Sequence, residues 1–338
     1  MAFKNMAILL FFSLIFSCQT VLPMEKATEE KDEKVLENFV HSKISMLNHV
    51  SKMIEGISPE KKAIKLPEPW KTTSPKTFCK DLGKGFKTVL DFRLAKKGIS
   101  EEDIQKEMAD IDKYYERTLR AKKNKKKFKP VSKELSERII KQAKSRGIDD
   151  FVVERGSGFA QANYKHMEVN EKRFGKYPLD AQVTIVEHEL THALNHDIAR
   201  SVAIEQLLKR KSSNGELSPE SKQLHLVCER HFEANADLVG ASQNEQAING
   251  YEQFTEEFIK EDGIDPFEDD EHPAHIDRRE AARILKNINN TWKEYQKSKT
   301  AKRRLFEDSE NQPAVTNAPS VPLEINNSKK TKLIEKSI

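Results

Sequence analysis

Residues 186–194 read VEHELTHAL, and they contain the pattern His-Glu-x-x-His. On a helix, residues four positions apart lie one turn apart on the same face, so the imidazoles of His188 and His192 are predicted to point at one place. A tetrahedral zinc ion needs nitrogen ligands of this kind at about 2.0–2.1 Å. Glu189 is turned about 100° around the helix, where its carboxylate can take a proton from a zinc-bound water. We therefore predict a zinc site with Glu189 as the catalytic base.

A catalytic zinc site needs a third protein ligand, with the fourth position left for water. Glu233 is the best candidate, because it lies in a later predicted helix that could pack against the first. Asp237 follows four residues later on the same face, where it could accept a hydrogen bond from the distal nitrogen of His188 or His192. His196 lies too close along the first helix to complete a tetrahedral site easily. Asp237 or a histidine remains the alternative third ligand.

The pattern of the whole chain predicts an α+β fold that is mostly helical, with a small mixed sheet and an active-site helix. We assign a helical N-terminal region with a linker to 21–130, a metallopeptidase-like domain to 131–299 and a disordered tail to 300–338. Within these regions the predicted elements are helices at 25–60, 100–122, 132–145, 178–195, 198–211, from 218 onward and 277–299, a proline-rich linker at 59–78, and short strands at 148–153, 159–164 and 167–170.

Composition limits the size of the core. The chain has 338 residues, of which 37% are hydrophobic and 33% are charged, and its formal net charge is +4. The lysine-rich run at 122–129 is typical of a solvated surface, and no nucleic-acid motif accompanies it, so no nucleic-acid partner is predicted. Beyond the leader, Cys79 and Cys228 have no paired spacing; they could form one disulfide or remain thiols.

The first residues predict export. Lys4 precedes an apolar run at 6–16 that is too short to span a bilayer, and polar residues follow it, which is typical of a secretory signal peptide over residues 1–20. Residues 15–18 resemble a bacterial lipobox, so a lipidated Cys18 that holds the protein at a membrane surface is the alternative to ordinary cleavage. We expect a protein that is exported to the periplasm or secreted, with possible lipid anchoring.

Three segments together resemble a known family. The resemblance is to the gluzincin zinc metallopeptidases of the CAAX-prenyl-protease and bacterial heat-shock metalloprotease family, and it is carried by HELTH at 188–192, EANAD at 233–237, and His272-Pro273 with Asp277-Arg278. It covers about residues 148–290. The chain lacks the transmembrane helices common in that family, so it resembles the soluble, periplasmic members. The metzincin extension is absent, because Asn195 and Ile198 stand where glycine and histidine are required.

The resemblance implies a zincin-like fold, one zinc ion per chain and hydrolysis of peptide bonds in polypeptide substrates. It maps the third zinc ligand onto Glu233. It does not identify the group that stabilises the transition state. His272, His275, Arg278 and Tyr251 are candidates, and for each of them a structural role is the preferred interpretation.

The residues and the resemblance lead to one main hypothesis and one rival. The main hypothesis is an exported zinc endopeptidase, with quality control of envelope proteins as one role. The rival is a zincin-fold binding or chaperone-like module that does not cleave. An intact Glu189 favours the enzyme, since a pure binding module needs no base there.

Overall fold

The computed structural model describes residues 23–55, 66, 68–125, 127–212, 215–262 and 272–310. In chain order its elements are α1 (Pro23–Glu55), α2 (Glu68–Lys71), α3 (Pro75–Lys96), α4 (Glu101–Asn124), α5 (Lys133–Ser145), β1 (Val152–Arg155), β2 (Ala160–Asn163), β3 (His166–Val169), α6 (Glu171–Phe174), α7 (Leu179–Asn195), α8 (Asp197–Lys211), α9 (Pro219–Ala241), α10 (Glu245–Asp262) and α11 (His275–Glu310). The prediction of a mostly helical α+β fold with a small mixed sheet is confirmed.

The sheet has three strands in the order β1-β3-β2, with β1 parallel and β2 antiparallel to β3. Strand β2 is therefore an edge strand, and it contacts α7. Ala162 pairs with Met167, and both side chains are buried in the core. Because side chains alternate along a strand, Gln161 and Asn163 lie on the opposite face of the sheet.

Helix α7 is the centre of the fold. It packs against α9, α10, α5, α8 and β2, and its residues from Val183 to Ala193 are all buried. Its charged residues are buried with partners; for example, Arg146 donates to Glu187 at 2.6 Å. A buried charge without such a partner would cost several kcal/mol, on the order of 3–5 when one partner is removed. The helix can therefore carry polar side chains through an apolar core.

Two glycines allow helices to approach α7 closely. A Cβ atom on Gly240 of α9 would lie 2.8 Å from the backbone nitrogen of His188, and one on Gly250 of α10 would lie 2.0 Å from the carbonyl oxygen of Asp180. Contacts this short are impossible for a real side chain, so both positions require the absence of a Cβ. The two glycines thus fix the positions of α9 and α10 against α7.

The N-terminal helices share the core of the rest of the chain. α1 and α3 pack on α9, and α4 packs on α8. Helix α3 lies where the sequence had predicted part of a linker and a mixed segment. The proline-rich composition suggested a linker, but Pro75 stands in the first turn and the hydroxyl of Ser74 accepts from the backbone of Thr77, so the same residues begin a helix.

The sequence analysis also missed α10. Its buried residues Ala247, Ile248, Tyr251 and Phe254 recur at helical spacing, so the signal was present. The many polar residues between them make this apolar pattern difficult to recognise in the sequence. Cys79 and Cys228 are buried free thiols rather than a disulfide.

The chain divides into two compact units, Met1–Gln296 and Lys297–Ile338. The second unit is described only as the C-terminal part of α11, which is helical to Glu310 where a disordered tail had been predicted from residue 300. The predicted signal peptide with Cys18, and residues 59–65 and 67 of the predicted linker, lie outside the described residues. In the part of the chain that the structure describes, no helix is both long and apolar enough for a bilayer.

A buried lysine attaches α1 to the segment between α2 and α3. The Lys43 ammonium donates to the carbonyl oxygens of Trp70 at 2.5 Å and Thr73 at 2.8 Å, and it lies 3.8 Å from the centroid of the Phe39 ring. Burial lowers its pKa to about 7. The charged form of Lys43 is therefore less favourable in the folded protein than in water.

We predict that Gly250→Ala lowers the free energy of unfolding by about 1–3 kcal/mol, because the new methyl group overlaps the α7 backbone. Gly85→Ala is the matched control, since a Cβ there meets no heavy atom within 4 Å in the interior of α3. It should be neutral or stabilising by up to about 1 kcal/mol. Urea unfolding followed by circular dichroism measures both; equal stabilities would contradict the close contact.

We predict that the stability of the protein relative to Lys43→Met rises as the pH rises from 7 to about 10. The pKa of Lys43 is about 7 in the folded protein, against about 10.4 in an unfolded chain. In this window the unfolded state binds more protons, so the free energy of unfolding increases with pH. Denaturant unfolding at several pH values tests this; a constant difference would mean an ordinary lysine pKa.

Candidate metal centre

Three side chains from α7 and α9 converge in the buried interior. The Nε2 atoms of His188 and His192 are 3.0 Å apart. Glu233 on α9 faces both, with Oε2 at 3.3 Å from the Nε2 atom of His188 and Oε1 at 3.3 Å from that of His192. One ligand atom from each residue lies within 4.8 Å of the others, a grouping that could hold a metal ion. The structure thus brings together the three residues predicted as ligands.

Each imidazole is held at its other nitrogen by a buried carboxylate. The Nδ1 atom of His188 is 2.9 Å from Oδ1 of Asp237, and the Nδ1 atom of His192 is 2.9 Å from Oδ2 of Asp197. Since carboxylates accept, both Nδ1 atoms carry the hydrogen, which leaves the two Nε2 lone pairs facing the shared point. This is the tautomer that metal ligation requires.

Asp197 was missed in the sequence analysis. It opens α8, directly after His196, whose left-handed φ of 55° turns the chain sharply between α7 and α8. The turn brings the Asp197 carboxylate back against His192. The sequence shows only an acidic residue five positions after His192. The turn at His196 is what directs the Asp197 carboxylate to the His192 ring.

The residues fit a bound cation. The Oε2 atom of Glu233 is buried and has no hydrogen-bond partner among the described residues. Burial alone lowers the pKa of His188, but the hydrogen bond with Asp237 and the nearby Glu233 carboxylate raise it to about 9. The facing histidines hold the pKa of Glu233 well below its usual range against the effect of burial. The pocket therefore favours positive charge at the point where the three ligands meet, which a divalent metal supplies.

Asp237 is itself held by a second buried charge. Arg278 on α11 donates to both of its carboxylate oxygens at 2.7 Å. The side chain of Arg278 is only 3% exposed, so it supports Asp237 and does not reach an open cleft. Tyr251 is fully buried beside this pair, and it too has no access to solvent. Of the four candidates for stabilising a transition state, Arg278 and Tyr251 therefore lie in the interior around Asp237.

His272 lies on the open side of the centre. Its Nε2 atom is 3.4 Å from Oε2 of Glu233, and its side chain is 45% exposed. His275, in contrast, packs its ring 5.1 Å from that of Phe258. His272 is therefore the remaining candidate that could contact a ligand directly.

Glu189 links α7 to the edge strand. Its Oε2 atom accepts a hydrogen bond from the backbone N–H of Ala162 at 2.6 Å. The residue follows His188 directly, and its carboxylate is not among the three converging ligands. The carboxylate therefore contacts the backbone of β2 from the helix that carries His188 and His192.

A second grouping could also hold a metal ion by its geometry, namely Glu154, His166 and Glu168 on the sheet. The Lys122 ammonium already lies 2.8 Å from Oε1 of Glu154 and 3.5 Å from Oε1 of Glu168. A lysine in this position supplies the positive charge that a metal ion would bring, so we do not assign a metal there.

Comparison of the chain with protein-family models, with curated proteins and with solved structures gave no match. The resemblance to gluzincin peptidases therefore depends on the sequence motifs.

We predict that Asp197→Asn and Asp237→Asn each weaken zinc binding about 10–100-fold, because an amide no longer fixes the tautomer of the ligating imidazole. Asp112→Asn is the matched control, since Asp112 pairs with the Nδ1 atom of His196 at 3.0 Å outside the ligand cluster. Competition with a chromophoric chelator measures the affinities. An Asp197→Asn protein that binds zinc as tightly as the control would show that Asp197 does not position the ligand.

Proposed function

We propose that the protein is a zinc-dependent endopeptidase of the gluzincin type. The observation that carries this proposal is the convergence of His188, His192 and Glu233, with Glu189 on the same helix bonded to the edge strand β2. Two neutral imidazoles and one carboxylate are a common ligand set of catalytic zinc. A base next to such a ligand set is required for hydrolysis and has no use in a purely structural zinc site.

The protein's own residues account for the handling of protons. Zinc bound at this centre would polarise a carbonyl oxygen and lower the pKa of a bound water to about 7. The Glu189 carboxylate takes the proton of the attacking water and delivers it to the leaving nitrogen. Asp197 and Asp237 keep the two imidazoles in the ligating tautomer. His272, half-exposed beside Glu233, is positioned to donate to the developing oxyanion.

The free edge of β2 is the proposed binding surface for substrate. An extended peptide can add to an exposed sheet edge through backbone hydrogen bonds. The backbone N–H of Ala162 donates to Glu189, so this strand lies next to the proposed base. A peptide alongside β2 would pass the metal centre in an extended conformation, which is the form that a protease cleaves most easily.

The predicted leader would direct the enzyme out of the cytoplasm, into the periplasm or beyond. Unfolded or damaged envelope proteins would then offer the extended segments that β2 accepts. A lipidated Cys18 would hold the enzyme at the membrane surface where such substrates arise.

The rival proposal is a zincin-fold binding module without proteolysis. It expects partner binding that does not depend on Glu189, and no cleavage when zinc is present. The Glu189 carboxylate, next to His188 in the His-Glu-x-x-His pattern, supports the enzyme, since a binding module needs no proton acceptor there.

We predict that Glu189→Gln keeps one zinc ion per chain and lowers peptide cleavage by at least about 10²-fold, because an amide cannot take up the proton. Metal content is measured by plasma mass spectrometry, and cleavage with a labelled casein substrate in the presence and absence of a chelator. Glu205→Gln on α8, a half-buried acid paired with Lys209, is the control. Full cleavage by the zinc-loaded Glu189→Gln protein would exclude this mechanism.

A further inference from the structure

A cavity of about 270 Å³ lies on the face of the sheet that points away from the α7 side of Ala162. One wall is the sheet and the other is α4, from the N-terminal region. The lining residues that matter for its chemistry are Tyr115, Lys122, Gln161, Asn163, Tyr164 and Glu168. No residue of the candidate metal centre is among those that line it.

The cavity adjoins the proposed path of the substrate. Gln161 and Asn163 flank Ala162, whose backbone N–H bonds to Glu189. Ile198 lines the cavity as well, and it follows Asp197, the partner of His192. In a peptide that extends along β2, alternate side chains point to this face of the sheet. One of them would therefore enter the cavity while the backbone passes the metal centre.

One ammonium is shared between two carboxylates at the cavity. The Lys122 ammonium lies 2.8 Å from Oε1 of the deeply buried Glu154, and the Nε2 atom of His166 lies 2.8 Å from the same oxygen. The Glu168 carboxylate is 44% exposed and lies 3.5 Å from the Lys122 ammonium. Since Lys122 is closer to Glu154, Glu168 is the carboxylate at the cavity that is only partly paired.

We infer that this cavity is a specificity pocket for a lysine or arginine side chain of an extended peptide substrate. The inference rests on the proposed function, since it takes the peptide to lie along β2. Glu168 is the partner for the incoming cation, the amides of Gln161 and Asn163 offer carbonyl acceptors, and the rings of Tyr115 and Tyr164 provide aromatic faces for a guanidinium group.

Two other occupants fit the cavity less well. An acidic side chain would have to compete with Glu154 and Glu168 for Lys122, the single ammonium among the described lining residues. A metal ion held by Glu154, His166 and Glu168 would have to displace that ammonium. A basic side chain needs neither change, because it pairs with the carboxylate that Lys122 leaves partly uncompensated.

Peptide binding to the Glu189→Gln protein tests the pocket without relying on cleavage. A set of peptides is made from one short labelled sequence, with arginine, lysine, norleucine or glutamate placed at each position in turn. Their dissociation constants are measured by fluorescence anisotropy. At one position arginine and lysine should bind about fivefold tighter than norleucine, the size expected for a partly exposed ion pair. Adding Glu168→Gln should abolish this preference.

Two further changes complete the design. Glu116→Gln removes the same charge from α4 next to Tyr115, at a residue that pairs with Arg120, and it should leave the preference intact. Thr118→Arg, at an exposed position of α4 that lines the cavity, should fill the pocket and abolish the preference without unfolding the protein.

The inference is overturned if no position prefers a basic side chain, if glutamate is preferred, or if Glu168→Gln acts no differently from Glu116→Gln. It is also overturned if zinc titration detects a second bound ion that Glu168→Gln removes. Cleavage of the same peptides by the zinc-loaded wild-type protein reports on the proposed function separately. If these peptides stay intact while the arginine preference depends on Glu168, the peptidase proposal fails and the pocket stands as a peptide-binding site.

Discussion

The structure depends on the pairing of two buried imidazoles with buried carboxylates. Asp197 and Asp237 hold the outer nitrogens of His192 and His188, and Glu233 faces the inner ones. In a medium of low dielectric constant these groups are stable only if every charge has a partner. Arg278 completes the set around Asp237, and a cation bound where the three side chains converge would complete it around Glu233. The same hydrogen bonds that stabilise the buried charges also orient His188 and His192 toward the point where a metal ion could bind.

This arrangement requires the helices to be packed at fixed distances. Gly240 brings the backbone of α9 against His188, so the Glu233 side chain from the same helix can reach both histidines. Gly250 similarly fixes α10 at the start of α7, and α10 supplies Tyr251 beside Asp237. Because these contacts are with the α7 backbone, they set the spacing between α7 and its neighbours. Rigid elements of this kind suit a site whose ligands must stay within tenths of an ångström.

The N-terminal helices belong to the same compact unit as the centre. Lys52 and His49 on α1 contact the side chain and backbone of Asp277, the neighbour of Arg278. Helix α4 covers the polar face of the sheet and supplies Lys122 to its carboxylates. The N-terminal helices thus buttress the candidate metal centre from one side and form the wall of a cavity on the other.

The sequence by itself determined the helix that carries His188 and His192 and the mostly helical fold, because fixed spacing on a helix sets which side chains share a face. It also indicated Glu233 as the best candidate for a third ligand. Tertiary structure decided the rest. Asp197 reaches His192 only through the left-handed turn at His196. Arg278 is buried and His272 is partly exposed, a difference that depends on the fold. The fold alone also places α4 over the sheet. These contacts join residues that are distant in sequence, or they depend on a single backbone angle. A local sequence pattern does not predict contacts of either kind.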